Sequence, residues 1–282
     1  MITRKYLVGL LFLLSCTGNP SSSQETNTTE RGRVIHPAGT TIVERFSPPP
    51  GYNRTEVDNF GNYLRTLPLH RHGYKVHLYN GEEKANQNVH AAVLKIDVGD
   101  KDLQQCADAV MRLRAEYLYQ AGDFDKISFN FTNGFPASFA KWSSGNNIAV
   151  RENDVSWQPS TAANNTYNSF RQYLDMVFMY AGTLSLSRQM GKISFADMQP
   201  GDVLIQGGSP GHAVMVMDIA QNAKGEKMLL LAQSYMPAQE IHILVNPDNA
   251  AISPWYSTAE INSVIHTPEW DFTVEDLKRF EE

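Results

Sequence analysis

The sequence predicts an α+β fold in which one cysteine-bearing helix packs on an antiparallel β-meander. Three observations carry this. Residues 102–119 repeat apolar side chains at helical spacing, with Cys106 near the start. Four strand-like runs, 202–205, 212–219, 227–235 and 240–245, follow one another across short turns, which is the connectivity of an antiparallel meander. Between helix and meander, residues from about 123 to 195 form an insertion rich in Phe and Trp among Asn, Ser and Gly.

The chain has 282 residues, 42% hydrophobic and 19% charged, which is enough to bury a sizeable core. Its formal charge of −6 is scattered without a basic stripe, which argues against nucleic acid as a partner. At the N-terminus, Arg4-Lys5 precedes an apolar run over 6–14 that is too short to span a bilayer as a mature helix. With Leu13-Leu14-Ser15-Cys16 at its end, this segment resembles a bacterial lipoprotein signal. The resemblance implies a signal over 1–16, lipidation at Cys16, export, and anchoring to the cell envelope through a membrane-inserted lipid. Residues 17–36 are polar, lack apolar periodicity, and read as a flexible tether. Residues 37–282 then form a single domain. With Cys16 carrying lipid, Cys106 has no intramolecular disulfide partner, because the chain has only two cysteines.

In chain order, 41–46 reads as a strand, 57–67 as a short helix, and 74–79 and 90–98 as strands, the first ending in an Asn80-Gly81 turn. His70, His72, His77 and His90 lie close in sequence but lack acidic or cysteine ligands at metal-site spacing, so neither a metal nor a cofactor is expected. Asp102 is placed to cap the cysteine helix in a box with Gln105, and Gly122 to end it. Cys106, Val110, Leu113 and Tyr117 share one face, and Arg112 and Glu116 form an i,i+4 pair on another. The insertion offers Trp142 and Trp157, and the meander Tyr235, as a wall for sugar or peptide. A helix follows over 165–182, and 273–280 reads as a terminal helix with a Thr-x-x-Asp cap.

A thiol in the first turn of a helix gains stabilisation of its anion from free N–H groups, and an imidazole nearby can serve as its base. His212 opens a strand directly after a glycine-rich turn, where its side chain can face a cleft. A third group must orient the imidazole. An odd pairing sum in the 212–235 hairpin puts His212, Val214 and Val216 on one face with Leu231, Gln233 and Tyr235, whereas an even sum brings Ser234 there instead.

The order Gln105-Cys106-Ala-Asp-Ala-Val on a helix, then Pro200-Gly-Asp-Val-Leu-Ile, then Gly211-His212-Ala-Val-Met-Val resembles the NlpC-type and CHAP-type cysteine peptidases and amidases of papain-like fold. That resemblance implies cleavage of amide bonds in peptidoglycan stem peptides through an acyl-enzyme. Cys106 would be the nucleophile, His212 the base, and Gln233 or a neighbour the orienting residue. Ala107 stands where NlpC-type enzymes usually have Ser, and Gln233 where His or Asn is more usual. The mature chain as a whole also resembles a domain of unknown function carried by Bacteroidetes lipoproteins. The contrasting expectation is a non-catalytic envelope lipoprotein that binds glycan or peptide in the same cleft.

Overall fold

The computed structural model describes Met1 and residues 34–281, Thr161 excepted. The signal, Cys16 and most of the tether lie outside the described residues. The first described element corrects an expectation: α1 (Ile42–Arg45) is a short helix, not a strand. The Thr41 hydroxyl accepts from the Glu44 N–H while the Glu44 carboxylate accepts from the Thr41 N–H, and this reciprocal cap outweighs the local β-propensity of Thr-Ile-Val. β1 (Asn53–Arg54) and α2 (Asn59–Thr66) follow, the helix capped by Asp58. The stretch 74–79 is a second correction, since it makes only isolated bridges, His77 to Glu83 and Leu78 to Gln239. The strand expected over 90–98 is the shorter β2 (His90–Val93).

Helix α3 (Cys106–Ala121) starts at the cysteine itself, and Gly122 closes it in the left-handed conformation with φ 77°. The cap differs from the expected one. Gln105 is the N-cap and its N–H donates to Asp108, while Asp102 accepts from the distant Ala238 N–H at 2.7 Å. Arg112 and Glu116 pair as expected, at 2.7 Å, and both are buried. The insertion folds as the hairpin β3 (Ser128–Asn130) and β4 (Pro136–Ser138), helix α4 (Phe139–Ser143), and the hairpin β5 (Asn146–Arg151) and β6 (Asp154–Pro159). Helices α5 (Tyr167–Tyr180) and α6 (Thr183–Gln189) complete it. Its aromatic rings supply much of its packing: Phe129, Phe131, Phe139, Phe170 and Tyr173 are buried in the same core as α3.

The remaining strands are β7 (Gly191–Lys192), β8 (Val203–Gln206), β9 (His212–Gln221), β10 (Lys227–Gln233), β11 (His242–Leu244), β12 (Tyr256–Ser257), β13 (Val264–His266), β14 (Asp271–Thr273) and β15 (Leu277–Arg279). Nine strands make one antiparallel sheet in the order β2-β11-β10-β9-β8-β15-β7, with β1 added on β9 and β12 on β10. The expected helix over 273–280 is therefore a correction. Asp276 does accept from both the N–H and the hydroxyl of Thr273, but it caps a single 3-10 turn before the chain enters the sheet as β15. Pairing along β8 satisfies the backbone there, and an ion pair of Arg279 with the buried Asp202 fixes it.

Both faces of the sheet are covered. Ala213, Met215, Leu230, Ala232 and Ile243 share a core with α3, while Leu204, Val214, Val216, Leu229 and Leu231 pack with Tyr256, Ile265 and Phe272. Two-sided burial explains why β9 reads as a continuous apolar run rather than an alternating one. The β9–β10 hairpin leaves its turn in an even register, Lys227 with Gln221 through Leu230 with Asp218, and then shifts, pairing Leu231 with Val216 and Ala232 with Met215. Met217 is the extra residue on β9, a β-bulge that turns the start of β9 over relative to its end.

Candidate active site

The bulge decides what His212 meets. Beyond it the pairing sum is odd, so Gln233 stands on the His212 face, and Nε2 of His212 donates to Oε1 of Gln233 at 2.8 Å. The imidazole packs among the rings of Tyr235 at 5.0 Å, Trp270 at 5.3 Å and Phe272 at 5.9 Å. Ser234, the alternative, instead donates to the carbonyls of Gln104 and Gln239. Gly211 precedes His212 because nothing larger fits: a Cβ there would come within 2.5 Å of the Thr183 hydroxyl, 2.6 Å of the Gly208 carbonyl and 2.7 Å of the Gln206 carbonyl.

Cys106 comes to the same place from α3. It and His212 both line a cleft of about 440 Å³, whose walls include Thr132, Phe178, Thr183, Tyr235 and Trp270. The N–H groups of Cys106, Ala107 and Ala213 face the sulfur, so the residue next to His212 is in contact with the thiol. Thr183, at the start of α6, ties the glycine turn to this wall, its hydroxyl donating to the Gly208 carbonyl at 3.1 Å.

Protonation is governed by burial. The amides at the helix start do favour the thiolate, but burial outweighs them. Burial, joined by the Asp108 charge, pushes Cys106 up to about 11, and the three amides offset this only in part. Burial also pushes the Asp108 carboxyl well above its ordinary range, and its charge is lost as it protonates. Burial brings His212 down to about 4 although the Gln233 contact favours its charged form. The resting pair at neutral pH is a thiol and a neutral imidazole.

The structure brings Cys106, His212, Gln233 and Tyr235 to one locus, but not the two tryptophans of the insertion. The Trp142 ring N–H donates to Ser169 at 3.1 Å, and Trp157 packs on Phe135 under Lys141, both away from the residues lining the cleft. Trp270 and Met236 take the wall position instead. Trp270 lies in a loop 58 residues beyond His212, and no spacing in the sequence signals it. Behind Gln233, three more residues escape a sequence reading: Glu269, Lys84 and His242. Among the described residues no three His, Cys, Asp or Glu side chains are arranged to hold a metal ion. His70 and His77 instead pair with Glu240.

A family model described as a domain of unknown function, DUF4846, matches residues 42–279. The chain belongs to this family. No curated protein matches it significantly, and no solved structure does either. The DUF4846 match covers every element from α1 to β15, so Cys106, His212 and Gln233 all fall within the family's domain. No helix among the described residues is long and apolar enough to cross a membrane.

Proposed function

We propose that this chain is an exported cysteine amidase of papain-like fold, held at the bacterial cell envelope by a lipid on Cys16 and acting on amide bonds of peptidoglycan stem peptides. The observation that carries the reading is the common cleft: a thiol at a helix start and an imidazole oriented by a side-chain amide line it together. The substrate class and the lipid anchor rest on the sequence resemblances.

With Nε2 of His212 engaged by Gln233, Nδ1 is the ring position left to act as base. In the forward step the Cys106 sulfur attacks the amide carbonyl carbon as its proton passes to Nδ1. The amide N–H groups at the start of α3 supply donors for the oxyanion. His212 then protonates the leaving amine as the C–N bond breaks, leaving a thioester on Cys106. Water attacks the thioester carbonyl while His212 takes its proton, and that proton returns to the departing sulfur, restoring the thiol and neutral imidazole. General-base attack suits this site better than a preformed ion pair, since burial opposes both charged forms.

A second reading has a specific observation in its favour: the same burial that keeps both groups neutral also suits a cleft that binds glycan or peptide without cutting it. Digestion of purified peptidoglycan by the wild type and Cys106→Ala, with products analysed by mass, separates the two. New amide-cleavage products from the wild type alone are the expected result. Identical products from both proteins would overturn the enzymatic reading and favour the binding module.

A further inference from the structure

We infer that Glu269 and His242 are positioning residues that fix the tautomer of His212 by allowing the Gln233 side-chain amide a single orientation. The inference rests on the reading of His212 as the base for Cys106. Oε2 of Glu269 lies 2.7 Å from Nε2 of Gln233, and an ionised carboxylate only accepts hydrogen bonds. Lys84, itself buried, holds the other carboxylate oxygen in an ion pair at 2.7 Å. On the other side, Nδ1 of His242 lies 2.9 Å from the Glu240 carbonyl, which also only accepts, so Nδ1 must carry the proton. Nε2 of His242 is then a lone pair, 3.4 Å from Nε2 of Gln233. Full burial of His242 disfavours its charged form and keeps that lone pair free.

Both hydrogens of the Gln233 amide are thereby claimed by acceptors. Turning the amide over would set its oxygen against a carboxylate oxygen and an imidazole lone pair, two acceptor–acceptor contacts in a buried site. Oε1 must therefore face His212, and since an amide oxygen only accepts, Nε2 of His212 must be the protonated nitrogen. Nδ1 is left as the base. A carboxylate bonded to Gln233 thus decides, through that amide, which nitrogen of His212 can take the thiol proton. This also accounts for an amide rather than a histidine at this position: an amide has two hydrogens to give to Glu269 and His242 and an oxygen to accept from His212.

The test is a long-range proton–nitrogen correlation spectrum of the full ¹⁵N-labelled chain at neutral pH, which distinguishes the two imidazole tautomers. His212 is expected to show protonated Nε2 and unprotonated Nδ1, and the opposite pattern in the wild type would overturn the inference with no variant needed. Glu269→Gln keeps the shape of the side chain but can offer a hydrogen to Gln233. In it the second tautomer of His212 is expected to appear, and alkylation of Cys106 by iodoacetamide to slow on the order of tenfold or more. An unchanged single tautomer in folded Glu269→Gln and Glu269→Ala would remove Glu269 from the role. Neither spectrum uses a substrate. Failure to cleave peptidoglycan leaves the tautomer result standing, and a wrong tautomer leaves any Cys106-dependent cleavage intact.

Discussion

Gln233 accepts a hydrogen bond from His212 at 2.8 Å because a single extra residue, Met217, moves the β9–β10 register by one position before the two side chains meet. Without that shift, the even register of the turn would continue and turn Gln233 to the opposite face from His212. The contact is buried on both sides, so removing the amide leaves the His212 N–H and the Glu269 carboxylate short of a partner. Gln233→Leu is expected to cost about 1–3 kcal/mol in urea unfolding and to slow Cys106 alkylation at neutral pH. Unchanged stability together with an unchanged alkylation rate would show that the contact orients nothing.

How much of this was legible varies with how local the deciding contact is. The meander, the length of α3 and its Gly122 stop are read from periodicity and turn chemistry. The bulge is not, because residues 213–217, between His212 and Asp218, are all apolar and buried on both faces, so no polar residue in that run reports that the faces have exchanged. Two overlapping boxes, Asp102 with Gln105 and Gln105 with Asp108, compete for the start of α3, and the second forms: the Gln105 N–H donates to Asp108, while Asp102 accepts from the Gln105 side-chain amide and from the Ala238 N–H far along the chain. The C-terminal box is correctly placed, yet a sheet edge and a buried aspartate take over after a single turn. Trp142 and Trp157 look like a binding wall by composition, whereas Trp270 and Glu269 reach the site only through tertiary folding.

Gly211 offers a test in which little can yield. A methyl group there meets two backbone carbonyls as well as the Thr183 hydroxyl, and backbone moves less readily than a flexible side-chain tip. Gly211→Ala is expected to displace the turn that aims His212, lowering thermal stability by at least about 1 kcal/mol and slowing Cys106 alkylation. Gly225→Ala, in the open turn at the far end of β9 with φ 86°, is the control for general loop strain. It should cost stability but leave alkylation unchanged.

Acid sensitivity follows from two buried imidazoles. Burial lowers His212 from 6.5 to about 4 and His242 from 6.5 to about 3. The unfolded chain therefore takes up protons at higher pH than the folded one, and stability rises with pH wherever it does. Nothing is lost above about pH 6.5. Between there and pH 4 each imidazole should take away roughly 1.4 kcal/mol per unit, against the opposite slope of the buried Asp108 and Asp202 carboxyls, whose raised pKa values favour the folded chain as pH falls. Urea midpoints across this range are the measurement. The wild type should lose about 1.4 kcal/mol per unit more than His242→Phe as pH falls from about 6.5 to about 4.5, and equal slopes in the two proteins would contradict a buried neutral His242.

The aspartate of Pro200-Gly201-Asp202 carries a different lesson, because a residue that helps define the resemblance is held by structure rather than aimed at the cleft. Asp202 is fully buried, accepts from the Gln199 N–H at 2.7 Å, and takes both oxygens to Arg279 at 2.6 and 2.9 Å. Burial holds its carboxyl above the ordinary range even with Arg279 in place. Arg279→Met would leave a buried carboxylate unpaired and should cost about 3–5 kcal/mol at neutral pH. Its carboxyl would rise further, so the unfolded chain would lose that proton first and the loss of stability would grow as pH rises above about 4. Asp202→Asn removes the buried charge while Arg279 stays partly solvated, so it should cost less and show little of that slope. Equal costs for the two variants, with the same pH dependence, would mean that the pair's charge is not what anchors β15 beside β8.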